Sequence, residues 1–101
     1  MKECCKAYLQ EQFGDDDVAA EIYDEYVSSV AAKVGEAESA LASADWTSLD
    51  HTAHTVKGNA LAAGDTEMAD TAIALRKAAA LGDSALSASL IEKIKGLAGE
   101  L

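Results

Sequence analysis

A long series of apolar residues, spaced three or four positions apart, is the feature that most limits what this chain can fold into. The series is Val18, Ile22, Tyr26, Val30, Val34, Ala37 and Leu41. Such spacing places the side chains on one face of an α-helix. The chain has no proline and only five aromatic residues, and it is rich in alanine, which favours helix over sheet. The sequence therefore predicts an all-α fold.

Glycines and aspartates divide the chain into segments, because a left-handed glycine can end a helix and an aspartate side chain can cap the next one. These signals predict five helices at about residues 2–13, 16–43, 45–63, 66–81 and 84–98. In the last helix the core face should carry Leu86, Leu90, Ile94 and Leu97. Short gaps between helices make successive helices antiparallel neighbours. We expect a single domain, residues 1–101, folded as an up-down antiparallel four-helix bundle with a short extra N-terminal helix.

The chain carries 18 acidic and 8 basic residues, for a formal net charge of −10. This charge disfavours nucleic acid and anionic membrane surfaces as partners, since their phosphates would be repelled. The sequence has no apolar run of membrane-spanning length, and its first residues are too polar for a signal peptide. Cys4 and Cys5 are adjacent, which strains a disulfide, so we expect free thiols. A cytoplasmic monomer is the resulting prediction.

Both histidines lie in the segment DHTAHTVKGNALAAG, residues 50–64. At 100° per residue, Ala53, Val56 and Ala60 define the core direction of this helix, and His54 points about 130° away from it. We therefore expect His54 at the surface. Its neighbours on that surface should be Asp50, His51, Lys57, Gly58 and Leu61.

Gly58 and Leu61 indicate that a large partner docks on this patch. A glycine inside a helix costs about 1 kcal/mol relative to alanine, and an exposed leucine suits a protein surface better than water. The exposed imidazole of His54 has three possible roles, as a general base, a metal ligand or a nucleophile. The ammonium group of Lys57 would repel a metal cation but attract a phosphoryl group. The combination favours a phosphohistidine.

The stretch AHTVKGNALAAG resembles the signature of the histidine-containing phosphotransfer (Hpt) family, A-H-x-L-K-G-S-A-x-x-x-G. The resemblance extends to FGDD at residues 13–16, before the long helix, and to the GD turn at residues 82–83. Val56, Asn59 and Arg76 depart from the leucine, serine and glutamate that are usual in the family. We expect the Asn59 amide to reach backbone or solvent, and Arg76 to affect the choice of partner.

The resemblance implies a phosphoryl carrier without ATP-dependent kinase activity of its own. His54 would accept a phosphoryl group from the aspartyl phosphate of a response-regulator receiver domain and pass it to another receiver aspartate, in a two-component phosphorelay fed by a hybrid histidine kinase. Lys57 would stabilise the phosphoryl charge. No cofactor or metal site is expected, because magnesium belongs to the receiver partner. The docking surface would comprise Gly58, Leu61, His51 and Asp50.

The same residues allow three other interpretations. An acidic helical bundle could bind a metal or haem through His51 and His54, with Asp50 as a further ligand, although Lys57 opposes a cation there. An interaction module without phosphotransfer would not need His54 at all. An acyl-carrier module would need a D-S-L context for its serine, whereas residues 47–50 read T-S-L-D.

Overall fold

The computed structural model describes residues 1–101, which form five α-helices and no strand. The helices are α1 (Glu3–Phe13), α2 (Asp16–Ala42), α3 (Trp46–Ala63), α4 (Thr66–Ala80) and α5 (Ser84–Gly99). Each end lies within one residue of the position that the sequence predicts. The prediction of an all-α fold is confirmed. None of the helices is both long and apolar enough to cross a lipid bilayer.

Aspartates begin four of the five helices. A side-chain oxygen of each accepts a hydrogen bond from a backbone N–H in the first turn of the helix that follows, and these caps are Asp15, Asp45, Asp65 and Asp83. A cap of this kind contributes about 1 kcal/mol. Gly64 ends α3 with a φ of 76°, and a Cβ added there would collide with the side chain of Tyr8 on α1. This glycine therefore reverses the chain and also lets α1 approach.

Helices α2 to α5 surround one core. Helix α2 packs against α3, α3 against α4, α4 against α5, and α5 against α2. Helix α1 lies against α2 and α3. Small side chains are buried on the helices that contact most closely, including Ala53, Ala60, Ala72 and Ala79. Because alanines let two helix axes approach, side chains at the edge of α4 can reach the outer face of α3.

Two residues predicted to face the core are exposed instead. Val18 is 39% exposed and Leu86 is 45% exposed. A step of four residues advances by 400°, which is about 40° more than one full turn. Over the three steps from Val18 to Val30 the offset reaches about 120°, so Val18 no longer lies on the same face as the buried Val30. Ala19 and Ser87 take the buried positions at the start of α2 and α5. The prediction for Val18 is wrong for this reason. The prediction for Leu86 is also wrong, because Leu86 lies in the first turn of α5, where Ser87 is the residue that is buried.

Asp65 is completely buried, and its carboxylate has three partners. Nζ of Lys2 donates to one oxygen at 2.9 Å, and the hydroxyl of Tyr26 donates to the other at 2.7 Å. The backbone N–H of Met68 donates to the same oxygen as Lys2, Oδ1, at 3.3 Å. The carboxylate thus fastens the N-terminal segment to α2 and α4.

The contacts with Asp65 raise the pKa values of Tyr26 and Lys2. Burial and the hydrogen bond to Asp65 raise the pKa of the Tyr26 hydroxyl above its usual range. Burial by itself would lower the pKa of the Lys2 ammonium, but the hydrogen bond and the charge of Asp65 raise it overall. Both groups therefore keep their protons into the alkaline range.

The two cysteines are free thiols, as the sequence predicts. Cys4 is exposed, whereas Cys5 is buried beside the Asp65 network. Burial raises the pKa of the Cys5 thiol to about 12. Since the thiolate is the reactive form, Cys5 is a packing residue at neutral pH.

Candidate functional site

The outer face of α3 carries His54. Its imidazole is exposed, while Leu49, Ala53, Val56 and Ala60 on the opposite side of the helix are buried. This is the orientation that the helical spacing predicts. The imidazole is therefore accessible to a macromolecular partner.

Arg76 on α4 reaches across to α3 and contacts two side chains there. Its Nε donates to Oδ1 of Asp50 at 2.9 Å, and its Nη1 lies 3.1 Å from Nδ1 of His54. The Asp50–Arg76 ion pair is partly exposed, and pairs of this kind contribute at most about 1 kcal/mol to stability. Its main effect is to orient the guanidinium toward the imidazole.

A groove between α3 and α4 runs beside His54. It is lined by three of the eight basic residues of the chain, together with one carboxylate and the apolar Trp46 and Ile73; the charged residues are Asp50, Lys57, Arg76 and Lys77. Lys57 is half-buried and takes part in none of the four ion pairs. A chain with a net charge of −10 thus has a locally positive surface next to its exposed histidine.

His51 lies on the other side of His54. Its side chain lines a separate, polar groove between α2 and α3, where Glu36 and Asp45 also lie. Asp50, in contrast, lines the groove on the α4 side. Of the residues predicted to form one patch, His51 therefore lines one groove and Asp50 and Lys57 line the other.

Gly58 and Leu61 lie at the surface of α3. Both are exposed, Leu61 over 53% of its surface. A Cβ added at Gly58 would meet no atom within 4 Å. The space above Gly58 is open, so the glycine is not required by a neighbouring helix.

The side-chain amide of Asn59 has a different partner from the one that the sequence predicts. Its Nδ2 donates to the hydroxyl oxygen of Ser29 on α2 at 2.6 Å. The prediction that this amide reaches backbone or solvent is therefore wrong. The side of α3 that carries Asn59 faces α2. The amide joins two helices near the site and does not reach His54.

The side chains that could bind a metal ion are carboxylates, histidines and cysteines. No three of these side chains come together in a group that could hold a metal ion. Asp50, named above as a possible third ligand beside the two histidines, is instead paired with Arg76.

A sequence model of the Hpt domain matches residues 21–101. The chain belongs to the Hpt domain family. Hpt domains are phosphocarrier modules of two-component phosphorelays, in which they interact with receiver domains and kinases without being kinases themselves. The Hpt match includes α3, α4 and α5 and most of α2, and it begins after α1. Comparisons with curated proteins and with solved structures gave no match.

Arg76 is the site residue whose contact the sequence did not predict. It lies 22 residues from His54 along the chain, and their contact depends on how α4 is rotated against α3. The spacing within one helix does not define that rotation. The available signal was a basic residue directly after the buried Leu75, at the edge of the core face of α4.

Proposed function

We propose that His54 is the phosphoacceptor of this Hpt domain. It would receive a phosphoryl group from the aspartyl phosphate of one receiver domain and pass it to the aspartate of another. The observation that carries the proposal is an exposed imidazole beside a groove lined by Lys57 and Arg76, within the range that matches the family. His51 lines a groove with Glu36 and Asp45, whose charges would repel a phosphoryl group.

The transfer needs little machinery from this chain. The lone pair of an imidazole nitrogen attacks phosphorus in line with the bond to the aspartate oxygen. That P–O bond breaks, its electron pair stays on the receiver carboxylate, and the proton on the other ring nitrogen passes to water. Positioning and charge stabilisation supply most of the rate in such reactions. The reverse steps pass the group to the next receiver.

Lys57 is proposed to stabilise the phosphoryl charge. It lies three residues after His54, which puts the two on neighbouring positions of the helix surface. Its ammonium group has no carboxylate partner. An unpaired cation at this position can therefore turn to the phosphoryl oxygens without first breaking an ion pair.

The docking surface is proposed to centre on Gly58 and Leu61. The open space above Gly58 lets another protein approach within one turn of His54, and Leu61 provides an apolar contact. Asp50 and His51 would lie at the two sides of this surface, in the grooves that flank His54. A receiver would thus cover the outer face of α3.

The proposal also covers the metal ion, the source of the phosphoryl group, the location of the protein and its oligomeric state. Magnesium would be supplied by the receiver domain, and this chain would hold no metal or cofactor. Phosphoryl groups would originate from a hybrid histidine kinase, since the chain contains no glycine-rich nucleotide loop. We further propose a cytoplasmic monomer, in which α2 to α5 run alternately up and down.

Mass spectrometry under alkaline conditions tests the assignment of the phosphoacceptor. The purified protein is incubated with a receiver domain that has been phosphorylated on its aspartate with a small acyl phosphate, and the modified peptide is sequenced. We expect an acid-labile, alkali-stable phosphoryl group on His54. A phosphoryl group on His51, or on neither histidine, would overturn the proposal.

A further inference from the structure

The hydrogen bond between Arg76 and His54 determines which imidazole nitrogen is free. Nη1 of Arg76 lies 3.1 Å from Nδ1. A guanidinium can only donate, so Nδ1 keeps its lone pair and the proton of the neutral ring resides on Nε2. Asp50 holds Nε of the same guanidinium at 2.9 Å. The three side chains together leave Nε2 as the nitrogen without a partner in the chain.

We propose that Arg76 is a positioning residue that keeps Nδ1 unprotonated after His54 has been phosphorylated on Nε2. This inference rests on the phosphotransfer function proposed above. In the phosphorylated state the phosphoryl group occupies the place of the Nε2 proton. The hydrogen bond from Arg76 to Nδ1 is then the same before and after the transfer, and Asp50 keeps the guanidinium in place in both states.

During uptake the ring changes tautomer through water, because a nitrogen that carries a proton has no lone pair for attack. Water takes the proton from Nε2 and returns one to Nδ1 while Arg76 moves aside. Nε2 then bonds to phosphorus, and the aspartyl P–O bond breaks with its electron pair on the carboxylate. The product ring carries a proton on Nδ1 and a positive charge. Loss of that proton to water restores Nδ1 as an acceptor for Arg76.

The protonation of Nδ1 controls how readily the phosphoryl group is lost to water. In hydrolysis a water oxygen bonds to phosphorus, the P–N bond breaks, and its electron pair returns to Nε2. A proton on Nδ1 assists this step because the ring then leaves as neutral imidazole. That proton competes with Arg76 for the same lone pair. Arg76 therefore lengthens the lifetime of the phosphohistidine in mild acid.

Other charged groups line the grooves next to the helix that carries His54. Lys57 and Lys77 oppose a further positive charge on the ring, whereas Asp50 favours it. None of these groups is hydrogen-bonded to Nδ1, which distinguishes Arg76. On the α2 side, the grooves next to α3 contain Glu25, Glu36 and Asp45, together with His51. The charges of Glu25, Glu36 and Asp45 are unchanged in every variant described below.

Nitrogen NMR of the imidazole tests the arrangement in the unphosphorylated protein. His51→Gln serves as the background, since it leaves His54 as the only histidine. We expect the Nε2–H tautomer to dominate in this background and a mixture of tautomers after the additional change Arg76→Ala. The same tautomer ratio with and without Arg76 would overturn the proposal.

The pH profile of phosphohistidine hydrolysis tests whether Arg76 lengthens the lifetime of the phosphohistidine in mild acid. We expect Arg76→Ala to lose its phosphoryl group roughly three- to tenfold faster than the wild-type protein in mild acid, with the two rates converging at alkaline pH. Asp50→Ala should produce a smaller shift in the same direction, because Arg76 remains but is no longer held. Lys93→Ala is the control, since it removes an exposed cation from α5 and should leave the profile unchanged.

Two results separate the failure of this inference from that of the proposed function. If the wild-type protein takes up no phosphoryl group, both are overturned. If it takes up the group on His54 but the profiles of the wild-type protein and Arg76→Ala coincide, the role of Arg76 alone is overturned. Circular dichroism of each variant establishes that the helices are intact.

Discussion

Gly58 lies one helical turn after His54 on the exposed face of α3, and a methyl group added to it would touch no other part of the chain. An exposed glycine within a helix costs stability without any compensating contact inside the molecule. Gly35 and Gly96 share this property, but Gly58 alone lies beside His54, where it leaves room for a partner that approaches the imidazole from outside. In the proposed function, this is the receiver domain.

Gly58→Ala is expected to stabilise the fold and weaken docking. The free energy of unfolding should rise by about 1 kcal/mol, because alanine is the better helix former, while the affinity for a receiver domain should fall. Gly96→Ala on α5 is the matched control, since an added Cβ also meets no atom there. It should give a similar gain in stability without a loss of affinity. Unchanged receiver binding by Gly58→Ala and by the bulkier Gly58→Arg would contradict the docking role.

Lys57→Ala is expected to slow phosphoryl uptake by about tenfold, because one unscreened charge near the transferring group is lost. The helix should remain intact, since Lys57 takes part in no ion pair. Rapid-quench measurement of transfer from a phosphorylated receiver gives the rate. Lys93→Ala, which removes a cation on a distant helix, controls for the change in net charge. Equal rates for the two variants would show that Lys57 has no specific role.

The Asp65 network predicts a loss of stability at alkaline pH. In the unfolded chain Tyr26 ionises near its ordinary pKa of 10.0, whereas in the folded protein it keeps its proton. The unfolded state therefore binds fewer protons above that pH, and the free energy of unfolding falls as the pH rises. Lys2 acts in the same direction, because its pKa is also raised in the folded state.

Tyr26→Phe separates this contribution from the rest of the protein. At neutral pH the variant should be less stable by about 1–2 kcal/mol, since a buried hydrogen bond to Asp65 is lost. Its stability should then decline less steeply than that of the wild-type protein above pH 10.0. Urea unfolding at a series of pH values gives both quantities. An equally steep decline in the two proteins would contradict the assignment to Tyr26.

Local signals in the sequence predict most of this fold. Glycine and aspartate junctions define the helix ends, because their effects act within one or two turns. The orientation of His54 follows from the spacing within α3 alone. The buried positions at the starts of α2 and α5 did not follow. Steps of four residues rotate around the long α2 and leave Val18 outside the core, and Leu86 lies in the first turn of α5, where Ser87 is buried instead.

The contacts between helices could not be predicted in the same way. Arg76 meets His54 and Asp50 only because of the rotation of α4 relative to α3. Asn59 meets Ser29 because α2 passes on the other side. The division of the site into two grooves, with His51 on one side and Lys57 on the other, likewise depends on which helix lies beside each face. Contacts of this kind can be identified only once the positions of the packed helices are known.

The most direct test of the account is phosphoryl uptake by two matched variants, His54→Gln and His51→Gln. Each removes one exposed histidine from the same helix, so effects on solubility and helix stability should be alike. Transfer from a labelled, phosphorylated receiver domain is measured for both variants and for the wild-type protein. We predict that His54→Gln takes up no acid-labile label, while His51→Gln takes it up at a rate close to that of the wild-type protein. Undiminished uptake by His54→Gln would contradict the central claim.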